Sequence, residues 1–330
     1  MKTGSVFSKV KGTKCIVTGG AGFIGSHITD TLLAYGAARV VVIDNLSTGN
    51  INNIKHHFEN DAFTFMQADI NDANSISAHF ARTDFVFHQA ALGSVPRSIE
   101  NPPHTDINNV HGLVNILQLC RLNKVKKIVF ASSSSVYGDD MSLPKVEEKT
   151  GKPLSPYAVS KVADEMYGEV FADLYDMNIT GLRYFNVFGP RQNPKGPYAA
   201  VIPLFINRLL KNEQPVIYGN GEQSRDFTFV SNVVYANILA AISNHDPGFY
   251  IYNIGCGEST SVNSLFNYIK SITGATVNAK YEPERKGDIL NSMASIKKAA
   301  EALDYQPLKN VEEGLEETVL WYKDKKHVFS

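Results

Sequence analysis

Residues 14–25 read KCIVTGGAGFIG, a short apolar run (14–18) that leads straight into a turn with four glycines. The run is typical of a buried strand, and helical periodicity over residues 23–35 follows the turn. Between a strand and a helix, such glycines allow a tight turn, a close approach of the backbone to a pyrophosphate and close packing of the helix on the strand. The free N–H groups and the partial positive charge at the helix start favour phosphate there. The stretch therefore predicts a dinucleotide-binding turn that uses Gly19, Gly22 and Gly25.

Strand-like and helical segments continue to alternate along the first half of the chain. Further strand-like runs span Arg39 to Ile43, Ala62 to Met66, Asp84 to His88, Lys126 to Ala131 and Ile179 to Tyr184. Helical periodicity separates them at Ala73 to Phe80, Thr105 to Leu122 and Tyr157 to Tyr175. This order predicts an α/β fold built on a doubly wound parallel (Rossmann) sheet.

The character of the sequence changes at Gly189, where the Gly- and Pro-rich segment GPRQNPKGP begins. We therefore predict a dinucleotide-binding Rossmann domain over residues 1–188 and a smaller mixed α/β lobe, mainly for substrate binding, over residues 189–330. Strand- and helix-like stretches near 226–254 predict that the chain crosses back to the sheet before it ends in the second lobe.

Composition limits the classes of partner. Of 330 residues, 43% are apolar, and 32 basic side chains balance 33 acidic ones to a formal net charge of -1. Such a balance gives no general attraction for nucleic acid or for an anionic membrane. No apolar run approaches the roughly 20 residues that span a bilayer, so we expect a cytoplasmic protein. The cysteines form no Cys/His ligand pattern, and we expect His56, His57 and His88 to be solvated or hydrogen-bonded rather than metal ligands.

An acidic residue ends the second predicted strand. Asp44 stands there, about 20 residues after the glycine-rich turn, where a carboxylate accepts hydrogen bonds from the adenosine ribose. The same carboxylate would repel a 2′-phosphate, so Asp44 favours NAD over NADP. Asp69, after the third strand, is either a ligand of the adenine amino group or an acid that merely ends a strand. Together these features predict NAD as the cofactor.

Tyr157 and Lys161 lie four residues apart near the start of a predicted helix, so both side chains project from one face. A phenol has a pKa near 10, but a nearby ammonium and a positive nicotinamide ring lower the pKa of a phenol toward neutrality. The serine-rich segment that contains Ser133 follows the fifth strand, at the sheet edge where ligands of such folds bind. These residues predict a base, its cationic partner and a hydroxyl that binds the reacting oxygen.

Four motifs in order along the chain resemble those of the extended short-chain dehydrogenase/reductase family. They are TGGAGFIG (18–25), the serine loop that ends in VYG (136–138), YAVSK (157–161) and RYFNVFGPR (183–191). Within that family the sequence most resembles the nucleotide-sugar 4-epimerases, above all the bacterial UDP-N-acetylglucosamine 4-epimerases. The shared segments are GSVPRS (93–98), SPYAVSK (155–161), YAAVIP (198–203) and GEQSRDF (221–227).

The resemblance implies roles for the residues at matching positions. Tyr157 would be the catalytic base, Lys161 its electrostatic partner and Ser133 the hydrogen-bonding serine. The implied cofactor-binding residues are Gly19, Gly22, Phe23, Ile24, Gly25, Asp44, Asn45, Asp69, Ile70, Ala90, Tyr157, Lys161 and Tyr184. The implied substrate-binding residues are Ser94, Ser133, Ser134, Asn186, Ala200, Val201, Tyr218, Arg225, Arg285, Asp288 and Ser292. Guanidinium groups, as at Arg225 and Arg285, suit a diphosphate.

Three positions narrow the reaction that the resemblance implies. Dehydratases and uronate decarboxylases of this family carry acidic residues in the serine loop, where this sequence has Ser134 and Ser135. Ser292 stands where glucose-restricted members have a tyrosine, and its small side chain leaves room for a 2-acetamido group. We therefore expect an NAD-dependent isomerase that interconverts UDP-GlcNAc and UDP-GalNAc through a 4-keto sugar, in polysaccharide biosynthesis.

Alternatives stay open at this point. UDP-glucose or UDP-uronates are alternative substrates of 4-epimerisation, and a reduction is an alternative reaction on the same scaffold. A non-enzymatic dinucleotide sensor is a further alternative, which the intact Ser133, Tyr157 and Lys161 disfavour. The family usually dimerises through a helix bundle, which implies a homodimer whose bundle includes Thr105 to Leu122 and Tyr157 to Tyr175.

Overall fold

A computed structural model describes residues 2–194, 199–284 and 290–324. Its strands are β1 (Lys14–Thr18), β2 (Arg39–Asp44), β3 (Phe63–Gln67), β4 (Phe85–His88), β5 (Lys127–Ser133), β6 (Asn178–Tyr184), β7 (Val187–Phe188), β8 (Val216–Tyr218), β9 (Ser224–Arg225), β10 (Thr228–Phe229), β11 (Gly248–Ile254), β12 (Thr260–Ser261), β13 (Lys280–Glu282) and β14 (Asn291–Ser292). Its α-helices are α1 (Lys2–Phe7), α2 (Phe23–Ala34), α3 (Ala73–Ile76), α4 (Val95–Glu100), α5 (Pro102–Asp106), α6 (Gly112–Leu122), α7 (Pro156–Tyr175), α8 (Val201–Leu210), α9 (Val230–Ile242), α10 (Val262–Thr273), α11 (Lys297–Leu303) and α12 (Val311–Asp324).

Seven of the described strands form one parallel sheet, in the order β11-β6-β5-β4-β1-β2-β3. The order reverses between β1 and β4, which is the switch point of a doubly wound fold. The predicted Rossmann sheet is therefore confirmed, and the six predicted strands are β1 to β6 within two residues at each end. The seventh strand, β11, comes from the stretch near 226–254 and pairs with β6 at the edge of the sheet.

Alternate residues of the strands enter two separate apolar cores. Val40 and Val42 pack in the core that includes α2 and α9, whereas Val41 and Ile43 pack in the core that includes α6. Because successive side chains of a strand point to opposite faces, this division places helices on both faces of the sheet. A sheet covered on both faces leaves only the ends of its strands accessible. In doubly wound sheets ligands bind at the carboxyl ends, so a ligand-binding site is expected there.

Two predicted helices differ in detail from the structure. The segment predicted as a helix from Thr105 to Leu122 begins earlier, at Pro102, and contains a π-helical turn over Ile107–His111 between α5 and α6. Asn101 explains the earlier start, since its side chain accepts the N–H of His104 and caps the first turn. The segment Ala73 to Phe80 is also divided, into α3 and the 3₁₀ turn Ser77–Phe80.

The later part of the chain adds small sheets beside the large one. The strand β9 pairs with β12 and β14, and β8 pairs with β13. The proposed boundary between residues 188 and 189 stays a prediction. None of the described helices has both the length and the apolar character that crossing a membrane requires.

Candidate active site

The carboxyl ends of the central strands bring most of the predicted cofactor-binding residues to one edge of the sheet. The loops that follow β1, β2, β3 and β4 line a cavity of about 310 Å³ at the switch point. Nine of the predicted cofactor residues line it, namely Gly19, Gly22, Phe23, Ile24, Gly25, Asp44, Asn45, Ile70 and Ala90. Since ligands of doubly wound folds bind at this point, the cavity is the candidate dinucleotide site.

The glycine-rich turn is held by close backbone packing. A methyl group at Gly19, whose φ is +67°, would lie 2.7 Å from the backbone nitrogen of Ala90. A methyl group at Gly25 would lie 2.3 Å from the carbonyl oxygen of Gly19. The turn after β1 thus fits only without side chains at these two positions, and it brings the start of α2 against the cavity.

Asp44 lies at the end of β2 with its carboxylate fixed by backbone donors. Leu46 N donates to Oδ1 (2.8 Å) and Ala21 N donates to Oδ2 (3.0 Å). Burial raises the pKa of the Asp44 carboxyl, against the opposing effect of these donors. None of the described residues that line the cavity is a lysine or an arginine, as expected for a site without a 2′-phosphate. The residues present therefore fit NAD.

Two predicted cofactor residues are not among the described residues that line the cavity, but each hydrogen-bonds to a residue that lines it. Asp69 accepts from the side chain of Asn45 (2.9 Å) and from the backbone of Asn71 (2.8 Å), so it orients a residue that lines the cavity. The Tyr184 hydroxyl donates to Gln89 Oε1 (3.1 Å) and accepts from Asn237 Nδ2 (2.8 Å). Burial raises the pKa of Tyr184. Direct cofactor contacts by Asp69 and Tyr184 stay predictions.

The start of α7 positions the predicted base and its partner. Ser155 caps the helix by accepting the N–H of Ala158 (3.1 Å), and Pro156 occupies its first turn. Tyr157 is half-buried in this first turn, and Lys161 lies one turn later. Lys161 Nζ is buried and donates to Ala131 O (3.0 Å), which is two residues before Ser133 on β5. The ammonium is thereby fixed beneath the end of β5.

Ser133 closes β5 opposite Tyr184 of β6. Its Oγ accepts the N–H of Ser135 (3.1 Å), which leaves the hydroxyl hydrogen as a donor. Ser134 begins the 3₁₀ turn that follows. His88 Nδ1 lies 2.8 Å from Thr18 Oγ1, and burial together with the charge of Lys161 lowers the pKa of His88 to about 3. His88 is therefore a neutral, hydrogen-bonded residue.

The predicted substrate residues fall into three groups. Arg225 of β9 pairs with Ser292 of β14, and Asn186 Nδ2 donates to the backbone of Asp226 beside them (3.2 Å). Val201 and Tyr218 line a second cavity of about 250 Å³, and Ala200 is the N-cap of α8 next to it. Ser94 caps α4 by accepting the N–H of Arg97 (3.3 Å). Arg285 and Asp288 lie outside the described residues.

Three groups of site residues were missed by the sequence analysis. Asp164 forms an ion pair with Lys161, and its spacing of three residues on one helix face was the available signal. The side chain of Gln89 lines the cofactor cavity and donates to Asn237 (3.2 Å). Asp226 accepts the backbone N–H groups of Cys256, Gly257 and Ala294. The contacts of Gln89 and Asp226 join segments that are distant in sequence, so no sequence pattern indicated them.

His56 and His57 meet at one carboxylate. Their Nε2 atoms lie 3.1 Å and 2.7 Å from Asp30 Oδ1, and Arg191 donates to Asp30 Oδ2 (2.6 Å). Both imidazoles thus have a partner, and a cation here would meet the guanidinium charge. The expectation of no bound metal stays a prediction.

Comparison with known proteins identifies the family. The sequence model of the NAD dependent epimerase/dehydratase family matches residues 15–255. A putative UDP-glucose 4-epimerase of Methanocaldococcus jannaschii is 43% identical over 94% of this chain and 98% of its own length. The structure of a UDP-N-acetylglucosamine 4-epimerase from Methanobrevibacter ruminantium, in complex with UDP-N-acetylmuramic acid, is 41% identical with a TM-score of 0.91, covering 96% of this chain and 99% of that one. A UDP-glucose 4-epimerase from Thermotoga maritima with UDP-glucose is 39% identical with a TM-score of 0.89, covering 95% and 100%.

These similarities confirm the resemblance to nucleotide-sugar 4-epimerases that the sequence motifs indicated. They also confirm the Rossmann-type fold and the NAD cofactor for which the cavity and Asp44 are suited. The chain belongs to the NAD dependent epimerase/dehydratase family.

Proposed function

We propose that this protein interconverts the C4 epimers of a UDP-linked hexose, with UDP-GlcNAc and UDP-GalNAc as its principal substrates. Tyr157 takes the proton of the C4 hydroxyl, and Ser133 donates a hydrogen bond to the same oxygen. Bound NAD supplies the acceptor and later the donor of the C4 hydride. The 4-keto sugar turns about its diphosphate linkage, and Tyr157 returns the proton to the oxygen once the opposite face of C4 has turned toward the cofactor site. No net oxidation results.

The arrangement of α7 and β5 carries this proposal. The Lys161 ammonium is buried and tied to β5 two residues before Ser133, and Tyr157 lies one helical turn away on the same helix. Both residues project from one helix face, and the charge of Tyr157 acts to raise the pKa of Lys161, which supports an interaction between the cation and the phenol. In general, a cation near a phenol favours the phenolate, which is the form that acts as a base.

The serine loop supports epimerisation over elimination. Ser134 and Ser135 occupy the positions where the resemblance implies an acid in dehydratases and decarboxylases. The 3₁₀ turn of this loop, Ser134–Tyr137, contains neither a carboxylate nor an imidazole to remove or supply a second proton. Proton transfer at a single oxygen, as Tyr157 provides, is sufficient for 4-epimerisation.

Residues in the later part of the chain support a UDP-sugar with a 2-acetamido group as the substrate. Val201 and Tyr218 border a cavity of a size suited to part of a nucleoside, and Arg225 supplies a guanidinium for the diphosphate. Ser292, beside Arg225, is a small residue at the position that the resemblance assigns to sugar selection. The alternative substrates are UDP-glucose, after which two of the similar proteins above are named, and UDP-uronates.

Incubation of the purified protein with a UDP-sugar and no added cofactor tests the proposal. UDP-GlcNAc, UDP-glucose and UDP-glucuronate are supplied separately, and NMR of the product shows which carbon has inverted. We expect C4 inversion without consumption of NAD, and a loss of at least about 100-fold in Tyr157→Phe that still retains NAD. A reduced product, inversion at another carbon or full activity of Tyr157→Phe would contradict the proposal.

A further inference from the structure

An ion pair is buried next to the proposed base. Lys161 is 2% exposed and Asp164, three residues later on α7, is 1% exposed. Lys161 Nζ donates to Asp164 Oδ2 (2.9 Å) and to Ala131 O (3.0 Å). An ammonium has three N–H donors, so these two bonds fix the direction of the third. Asp164 thereby determines where the Lys161 charge lies and how the group is oriented.

The surroundings of Asp164 indicate that it acts on Lys161 rather than stabilises the fold. Its second oxygen, Oδ1, is buried and has no hydrogen-bond partner among the described residues. The neighbouring Glu165 differs, since both of its oxygens accept from Arg183 (2.9 and 2.8 Å). A buried ion pair is often no more stabilising than apolar residues of the same volume. A buried carboxylate with only one oxygen hydrogen-bonded is therefore a poor stabilising element. Its main effect is on the charge and orientation of the Lys161 ammonium.

The charges around the pair keep Lys161 protonated. Burial acts to lower the pKa of Lys161, but Asp164 and Tyr157 outweigh it, so that the pKa is raised. Burial raises the pKa of Asp164, whereas the Lys161 ammonium, 2.9 Å away, lowers it and favours the carboxylate. Among the described residues, Glu165 from α7, Asp106 from α5 and the neutral His88 from β4 also interact electrostatically with the pair.

We propose that Asp164 is a positioning residue that holds the Lys161 ammonium charged and directed, and thereby sets the pH range in which Tyr157 takes a proton. This inference rests on the proposed role of Tyr157 as the base. Asp164 touches neither the sugar nor the reacting atoms in this scheme, and it acts only through Lys161. Removal of its charge makes the Tyr157–Lys161 pair easier to deprotonate, because one anion fewer faces it.

The substitution Asp164→Asn tests the role of the charge. Asparagine has nearly the same size, and its oxygen can still accept from Lys161 Nζ, but it carries no charge. We expect both limbs of the pH profile of kcat/KM to move to lower pH by about one to three units. Asp164→Glu restores the charge and should return both limbs to the parent positions. Asp61→Asn, the same change at an exposed residue, should leave them unmoved.

A readout without turnover separates this inference from the proposed function. Tyrosinate absorbance is titrated for the holoenzyme and for its Tyr157→Phe variant, and the difference reports the Tyr157 phenol. The same difference in the Asp164→Asn background should have a midpoint at least about one pH unit lower. If the parent acts on no UDP-sugar but this midpoint moves, the proposed function fails and the inference stands.

Unmoved limbs and an unmoved midpoint, with activity merely reduced, would overturn the inference and leave Asp164 a structural residue. Circular dichroism and NAD content establish that each variant is folded. Should Asp164→Asn fail to fold, the Tyr157 titration in Asp164→Gln, which also lacks the charge, decides. A midpoint at least about one pH unit lower supports a role for the charge, and an unmoved midpoint overturns it.

Discussion

Gly25→Ala is expected to remove NAD from the purified protein. The added methyl group would lie 2.3 Å from the carbonyl oxygen of Gly19 and 2.8 Å from Cα of Gly20. Normal contact requires roughly 3.5 Å, so α2 must move away from the turn by about 1 Å. Overpacking of this kind costs about 1–3 kcal/mol of stability. The same movement takes the N–H groups at the start of α2 away from a bound phosphate.

The loss of NAD affinity follows from those N–H groups. Each hydrogen bond to a charged group contributes about 1.5–3 kcal/mol, so the loss of two weakens binding by roughly 100-fold or more. The assay is the NAD content of the purified protein after denaturation, together with calorimetric titration of NAD and the thermal unfolding midpoint. Gly4→Ala is the control, since a methyl group there would meet no atom within 4 Å. Full NAD content in Gly25→Ala, with an unchanged unfolding midpoint, would refute the packing argument.

Two further predictions concern the substrate and the assembly. Ser292→Tyr should lower kcat/KM for UDP-GlcNAc roughly tenfold or more beyond its effect on kcat/KM for UDP-glucose, because a phenol ring beside Arg225 would occupy the space expected for the acetamido group. Equal losses for both sugars would reject a role of Ser292 in sugar selection. Leu174→Glu should convert the expected homodimer to a monomer, as measured by light scattering, because an exposed apolar stripe runs along α7 through Val159, Met166, Val170 and Leu174. The control Leu320→Glu makes the same change at a 58% exposed leucine on α12 and should remain dimeric. A dimeric Leu174→Glu variant would contradict the predicted helix bundle.

The central sheet could be predicted because its strands are buried on both faces. Such strands appear as short continuous apolar runs, and Lys14–Thr18 was predicted with the bounds that the structure shows. The helix carrying Tyr157 and Lys161 was equally clear, through its serine cap and following proline. Local patterns of this kind need no knowledge of distant residues, which is why they sufficed for the candidate cofactor site and the proposed base.

The remaining features depend on contacts between distant segments. The two-residue strands β9, β12 and β14 have no periodicity of their own, and their pairing follows from the fold. Asp226 joins them to the segments near 256 and 294 by accepting three backbone N–H groups. Burial raises the pKa of Asp226 to about 6 despite these donors. Because its folded pKa is raised, its contribution to stability falls as the pH rises from about 4 to about 6.

Buried, hydrogen-bonded side chains and small side chains occupy different parts of the candidate site. Lys161 and Tyr184, which are predicted to contact the cofactor, are buried and hydrogen-bonded, whereas the positions predicted to surround the sugar carry small side chains, at Ser94, Ala200 and Ser292. In the proposed reaction, the sugar ring has to turn its other face toward the cofactor site while the base stays fixed. Close contacts around the ring would bind one epimer and slow this turn, since binding that favours a ground state does not lower the barrier. The distribution of side chains therefore favours a reaction in which the nucleotide is held and the sugar is not.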